Sequence, residues 1–142
     1  MKLAGIQISC HEEKERNIEK AIKLAQIAAG KGAQIICFQE LFSNPWFPRE
    51  MNKKHFSFAE EADGPSVKPM QELARAYKAV LICPIFEKGE GGFFNSAVII
   101  DAGGEILGSY RKIHIPQIPL WEEKFYFLPG NLGFPVFKTK FA

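Results

Sequence analysis

Residues Ala33 to Phe38 form a nearly unbroken apolar run that stops at Gln39-Glu40. A run this short and this apolar reads as a strand covered on both faces, and what precedes it restricts the topology. From about Lys14 to Ala29, residues Ile18, Ala21, Ile22, Ala25, Ala28 and Ala29 recur at helical spacing, with Glu12, Glu13, Glu15, Lys20 and Lys23 turned to water. Gly30-Lys31-Gly32 ends that helix. Leu3 to Ile8 alternates apolar with small or polar residues and supplies a first strand. Strand, helix and strand make a βαβ unit, which commits the chain to an α/β architecture.

The remainder continues the theme. Leu41 to Ala62 is irregular and rich in Phe, Pro and Asn, with a short helix expected around Arg49 to Phe58; such a loop at a strand end is a reasonable wall for a site. Asp63-Gly64-Pro65-Ser66 opens a second helix that tolerates Pro69 in its first turn and buries Val67, Met70, Leu73, Ala74 and Tyr77. Val80 to Phe86 reads as a third strand, and Phe93 to Asp101 with Glu105 to Lys112 as a hairpin around Ala102-Gly103-Gly104. Pro135 to Thr139 alternates like a last strand, and Lys140-Phe141-Ala142 looks like a turn into a strand that does not follow. The expected fold is a mixed sheet with helices on one side or both. Residues 1–142 form a single domain that looks incomplete, and its unpaired edge favours assembly.

Composition removes several function classes. The chain is 46% hydrophobic and 24% charged, and its net charge of +2 is scattered, with no basic face for nucleic acid. No apolar run is long enough to cross a bilayer, and the first residues turn polar too early for a signal peptide, so the expected location is cytoplasmic with no membrane partner. Cys10, Cys37 and Cys83 are odd in number and unpaired in spacing, which reads as reduced thiols. His11, His55 and His114 do not cluster with them at zinc-ligand spacing, and no glycine loop cradles phosphate.

Chemistry concentrates between Gly108 and Gly130, where Pro116, Pro119 and Pro129 stiffen a segment rich in aromatics. Within it Lys112 ends a strand, and Glu123 sits in the proline-fixed surroundings; a charge desolvated there must be paired or used. Glu40 occupies the carboxyl end of its own strand, where open α/β sheets place their sites, and if buried it suits a general base. Lys112 could stabilise an oxyanion, with Arg111 pointing to the opposite face as a surface or pairing charge. His114, between Ile113 and Ile115, reads more readily as a hydrogen-bonded structural histidine than as a base. Cys37 and Cys83 lie in apolar strands where a thiol is inert; Cys10 is the least implausible nucleophile of the three.

Taken together, Phe38-Gln39-Glu40-Leu41-Phe42, Tyr110-Arg111-Lys112-Ile113-His114-Ile115-Pro116, Glu123-Lys124-Phe125-Tyr126-Phe127 and Pro129-Gly130-Asn131 resemble the amino-terminal half of a carbon-nitrogen hydrolase of the nitrilase superfamily. His114-Ile115-Pro116 followed by Trp121-Glu122-Glu123 is most similar to N-carbamoylputrescine amidases, and Gly130-Asn131-Leu132-Gly133-Phe134-Pro135 to β-ureidopropionases. The resemblance implies an αββα sandwich and a Glu, Lys and Cys triad with a supporting second glutamate, and it implies no metal or organic cofactor. By motif, Glu40 matches the base, Lys112 the lysine and Glu123 the second glutamate, with His114 a substrate-binding candidate. The implied substrate is a small amide or ureido compound, and the implied partner is a second copy or a complementing carboxyl-terminal half. The nucleophilic cysteine matches none of the three here, so the isolated chain is expected to be inactive or nearly so. Against this stand a non-catalytic interaction module and an unrelated nucleotide-binding domain, the latter disfavoured by the missing phosphate loop.

Overall fold

A computed structural model describes residues 1–142. The order is β1 (Leu3–Ile6), α1 (Lys14–Gly30), β2 (Ile35–Phe38), α2 (Lys68–Tyr77), β3 (Val80–Gly89), β4 (Gly92–Ile100) and β5 (Ile106–Arg111), with 3-10 turns at Phe47–Arg49, Lys53–Phe58 and Glu123–Phe125. The strands lie in one sheet in chain order, β1 to β5. β1, β2 and β3 are parallel, joined by the helical crossovers expected of βαβ units, while β4 and β5 are antiparallel additions. The β3–β4 hairpin, closed by Glu90 and a positive-φ Gly91, extends β3 beyond the expected end at Phe86.

Both helices pack on one face. Ile36, Phe38, Leu81, Cys83 and Val98 from the sheet meet Ala21, Ala25, Met70 and Leu73 from the helices and Val67 just before α2. Each large side chain so buried contributes about 1.5–3 kcal/mol before entropy is counted. The other face carries half-buried Ile35, Cys37, Ile82 and Pro84, so β2 is covered on one side and not on both. No layer of this chain packs there in full.

Three further expectations change. Pro135 to Thr139 forms no strand: no neighbouring strand gives it a ladder, and Val136 is 96% exposed. Phe134 stacks on Tyr110 instead, so the tail lies beside β5 through side chains. Tyr77 is exposed because it ends α2, just before Lys78 turns left-handed at φ 54° and takes the chain off the helix face. The helix expected over Arg49 to Phe58 is two short 3-10 turns.

A second apolar cluster forms beyond the strand ends. Leu41, Phe47, Phe86, Ile115, Tyr126 and Phe127 pack together, with Phe47 edge-on to Tyr126 at 5.0 Å. The Tyr126 hydroxyl donates to the Glu50 carbonyl at 2.6 Å and accepts from the Asn52 N–H at 2.9 Å. The aromatic loop after β2 is thereby fixed against the segment after β5.

Candidate active site

Glu40, Lys112 and Glu123 are far apart in the chain and meet at one end of the sheet. The Lys112 ammonium donates to Glu40 Oε1 at 3.0 Å and to Glu123 Oε1 and Oε2 at 3.1 and 2.8 Å. Each carboxylate arrives by a different route. Glu40 leaves the end of β2 and is followed by Leu41 in the left-handed region, φ 53°, with its side chain 1% exposed. Such a backbone costs a non-glycine residue about 1–2 kcal/mol, and the apolar cluster that buries Leu41 is what holds it there. Glu123 opens a 3-10 turn, and its loop is tied to the loop after Glu40 by Trp46 Nε1 donating to the Leu120 carbonyl at 3.1 Å and by the Glu122 N–H donating to the Pro48 carbonyl at 2.7 Å.

Lys112 follows β5 directly. Its N–H donates to the Asn95 carbonyl at 2.8 Å, and its own carbonyl accepts from the Gly130 N–H at 2.9 Å. A Cβ at Gly130 would collide with the Arg111 carbonyl, so only glycine permits this approach.

The electrostatics are uneven by design of the fold. The Glu123 side chain is 1% exposed, Lys112 30% and Glu40 43%, so one acid is sealed and the other faces solvent. Burial alone would push the Lys112 ammonium down; hydrogen bonds to Glu123 and Glu40 and their negative charges outweigh it and raise its pKa. The ammonium therefore stays charged at neutral pH. Glu40 lines a cavity of about 240 Å³ with Cys10, Gln39, Asn44 and Trp46. The condition of burial attached to Glu40 is not met.

The other sequence candidates lie elsewhere. His114 is exposed, its ring makes no hydrogen bond, and it lines a separate depression with Lys124 and Leu128. It is neither a hydrogen-bonded core histidine nor a member of the cluster, because the chain turns outward after Lys112. Arg111 points away from Lys112 as strand alternation requires, and it pairs with Glu87. Burial raises the pKa of all three thiols, with a Lys20 charge opposing it at Cys10, and Cys83 is sealed in the core. No group of His, Cys, Asp and Glu is arranged to hold a metal ion, and no helix is long and apolar enough to cross a membrane. One site neighbour escaped the sequence reading. Asn95 Nδ2 donates to Glu40 Oε1 at 2.6 Å and lies 3.5 Å from Glu123 Oε2. The available signal was a polar pair, Asn95-Ser96, inside an otherwise apolar strand.

In sequence and fold the chain is similar to known proteins. Residues 2–142 match the family model described as carbon-nitrogen hydrolase. The chain is 41% identical over 141 residues to an N-carbamoylputrescine amidase of Solanum tuberosum, covering 99% of this chain and 47% of that protein. It is 39% identical over 135 residues to a β-ureidopropionase of Arabidopsis thaliana, covering 92% and 33%. The crystal structure of a carbon-nitrogen hydrolase from Helicobacter pylori superposes with a TM-score of 0.85 at 36% identity, over 92% of this chain and 46% of that one. The chain thus spans about half the length, or less, of the curated relatives it matches. Its mixed sheet flanked by helices is the fold of these enzymes, and the chain belongs to the carbon-nitrogen hydrolase family.

Proposed function

We propose that this chain carries the base, the lysine and the second glutamate of a thiol amidohydrolase that cleaves N-carbamoyl amines or related linear amides. The observation that carries the reading is the single ammonium of Lys112 shared between Glu40 and Glu123 at 2.8 to 3.1 Å. The sulfur comes from sequence outside these 142 residues, because each thiol here is raised by burial and none bonds Glu40 or Lys112.

In this reading Glu40, half-exposed at the cavity, takes the thiol proton as sulfur attacks the ureido or amide carbon. The carbonyl oxygen becomes an oxyanion beside the Lys112 ammonium, whose raised pKa keeps it charged. Glu40 returns its proton to the nitrogen, the C–N bond breaks and ammonia leaves. Water then loses a proton to Glu40 as it attacks the carbon of the thioester (from an amide) or thiocarbamate (from a ureido compound), and the proton returns to the departing sulfur as the carboxylic or carbamic acid is released. Glu123 fixes the ammonium between the acids throughout.

A carboxyl-terminal half, as a continuous polypeptide or a complementing chain, would supply the thiol and cover the half-buried sheet face of Ile35, Cys37, Ile82 and Pro84. The same face is the observation that favours the second reading, a non-catalytic module that pairs with a partner. One experiment separates them: ammonia release from N-carbamoylputrescine, 3-ureidopropionate and simple amides by the complete protein, with Glu40→Gln and Lys112→Ala as controls. Release that both substitutions abolish without unfolding supports the enzyme; no release from any compound supports the module.

A further inference from the structure

Resting on the reading above, we propose that Asn95 is a positioning residue that holds Glu40 and Glu123 on either side of Lys112 through both protonation states of the base. Its single amide nitrogen lies 2.6 Å from Glu40 Oε1 and 3.5 Å from Glu123 Oε2, and each of its two N–H bonds has a carboxylate to face. The Asn95 main-chain carbonyl accepts the Lys112 main-chain N–H at 2.8 Å, which fixes the two residues side by side in the ladder. Asn95 is 5% exposed and lies on β4, flanked by β3 and β5 and paired in register with Phe86 of β3, which leaves its side chain little freedom.

The physical reason for an amide is that it does not titrate. When Glu40 takes up a proton, its ion pair with Lys112 loses its charge term and Glu40 is freed to drift toward solvent. A neutral N–H donates to the carbonyl oxygen of a protonated acid as it does to a carboxylate. The bridge therefore persists at the moment the ion pair weakens. The titratable groups facing Glu40 are the Lys112 ammonium, the Glu123 carboxyl and, across the cavity, the Cys10 thiol.

Two variants of the complete protein test this. In Asn95→Asp a new carboxyl faces Glu40 at hydrogen-bond range, and the two acids share a proton, so the upper step of the coupled pair moves up. The expected result is a shift of about one pH unit or more in the 13C titration of the Glu40 carboxyl, a readout that needs no turnover. The acid limb of kcat/KM for N-carbamoylputrescine should move by the same amount. In Asn95→Ala the expected loss is about tenfold to a hundredfold in kcat with KM within about threefold, because geometry and not binding is lost. A folded Asn95→Asp whose Glu40 titration matches wild type overturns the proposal, as does wild-type kcat in Asn95→Ala. Failure of both variants to fold also overturns it, since Asn95 would then be a packing residue. A wild type that releases no ammonia while Asn95→Asp still shifts the Glu40 titration strikes the proposed reaction and keeps the bridge.

Discussion

Arg111 and Lys112 are neighbours in the chain, as are Asn95 and Ser96 across the ladder, and alternation sends one of each pair to either side of the sheet. The two sides have opposite characters. Arg111 binds Glu87 through Nε at 3.0 Å and Nη2 at 2.5 Å, gives Nη1 to Asn131 at 2.7 Å and covers the Phe94 ring at 3.9 Å. Ser96 donates to the same carboxylate, and the Arg111 and Glu87 side chains are 11% and 7% exposed. That cluster is closed, with charge matched one to one. The Lys112 cluster sets one cation against two acids and leaves Glu40 open to a cavity. A closed pair can only stabilise; a surplus acid at an open edge can accept a proton. The same two strands thus build a clamp and a site back to back.

The comparison can be broken at several points. The largest expected effect is Lys112→Ala, which should lower ammonia release by the complete protein about 10²–10³-fold, as removal of an oxyanion stabiliser does; near-wild-type turnover would remove Lys112 from the chemistry. Next is Arg111→Ala, which strands a buried Glu87 and should cost about 3–5 kcal/mol in urea unfolding. A loss under about 1 kcal/mol would mean the closed pair is no clamp. Gly130→Ala should cost about 1–3 kcal/mol, since a methyl group meets the Arg111 carbonyl, and should lower turnover of the folded fraction because Lys112 shifts with it. An alanine variant with unchanged melting and rate would show that this approach is not tight.

The smallest effect is the pH dependence of stability. Burial pushes the Glu87 carboxyl up, but hydrogen bonds from Arg111 and Ser96 and the Arg111 charge hold it below the ordinary carboxylate range. Its contribution is therefore present above that range and lost as pH falls through the lowered value. Lys112 is raised, so its contribution is present below the ordinary lysine value and lost as pH climbs through the raised one. Unfolding free energies measured across pH should show the acid loss shrink in Glu87→Gln and the alkaline loss shrink in Lys112→Met, and not the reverse.

Much of the site could be read from the chain because strands end abruptly. Glu40 follows an apolar run, Lys112 ends a hairpin strand, and Glu123 sits among prolines that leave a charge few ways to reach water. Asn95 could not be found this way: it carries no charge, and its partner Glu40 is 55 residues distant in sequence. The bidentate Arg111–Glu87 clamp was half legible, since alternation turns Arg111 away from Lys112 but does not name its acid. Pro135 to Thr139 shows the converse failure. Its alternation is that of a strand, yet a strand exists only where a neighbour offers a ladder, and none lies beside it. His114 misled because flanking isoleucines suggested burial, whereas only Ile115 is buried.

The division between site and clamp is tested most directly by measuring rate and melting together in Glu40→Gln and Glu87→Gln of the complete protein, two isosteric changes at two acids. The expected result is that Glu40→Gln loses about 10²–10³-fold in ammonia release while its melting holds. Glu87→Gln should lose about 3–5 kcal/mol of stability while its folded fraction turns over near the wild-type rate. A Glu40→Gln enzyme that turns over normally, or a Glu87→Gln enzyme that is stable and inactive, would contradict it.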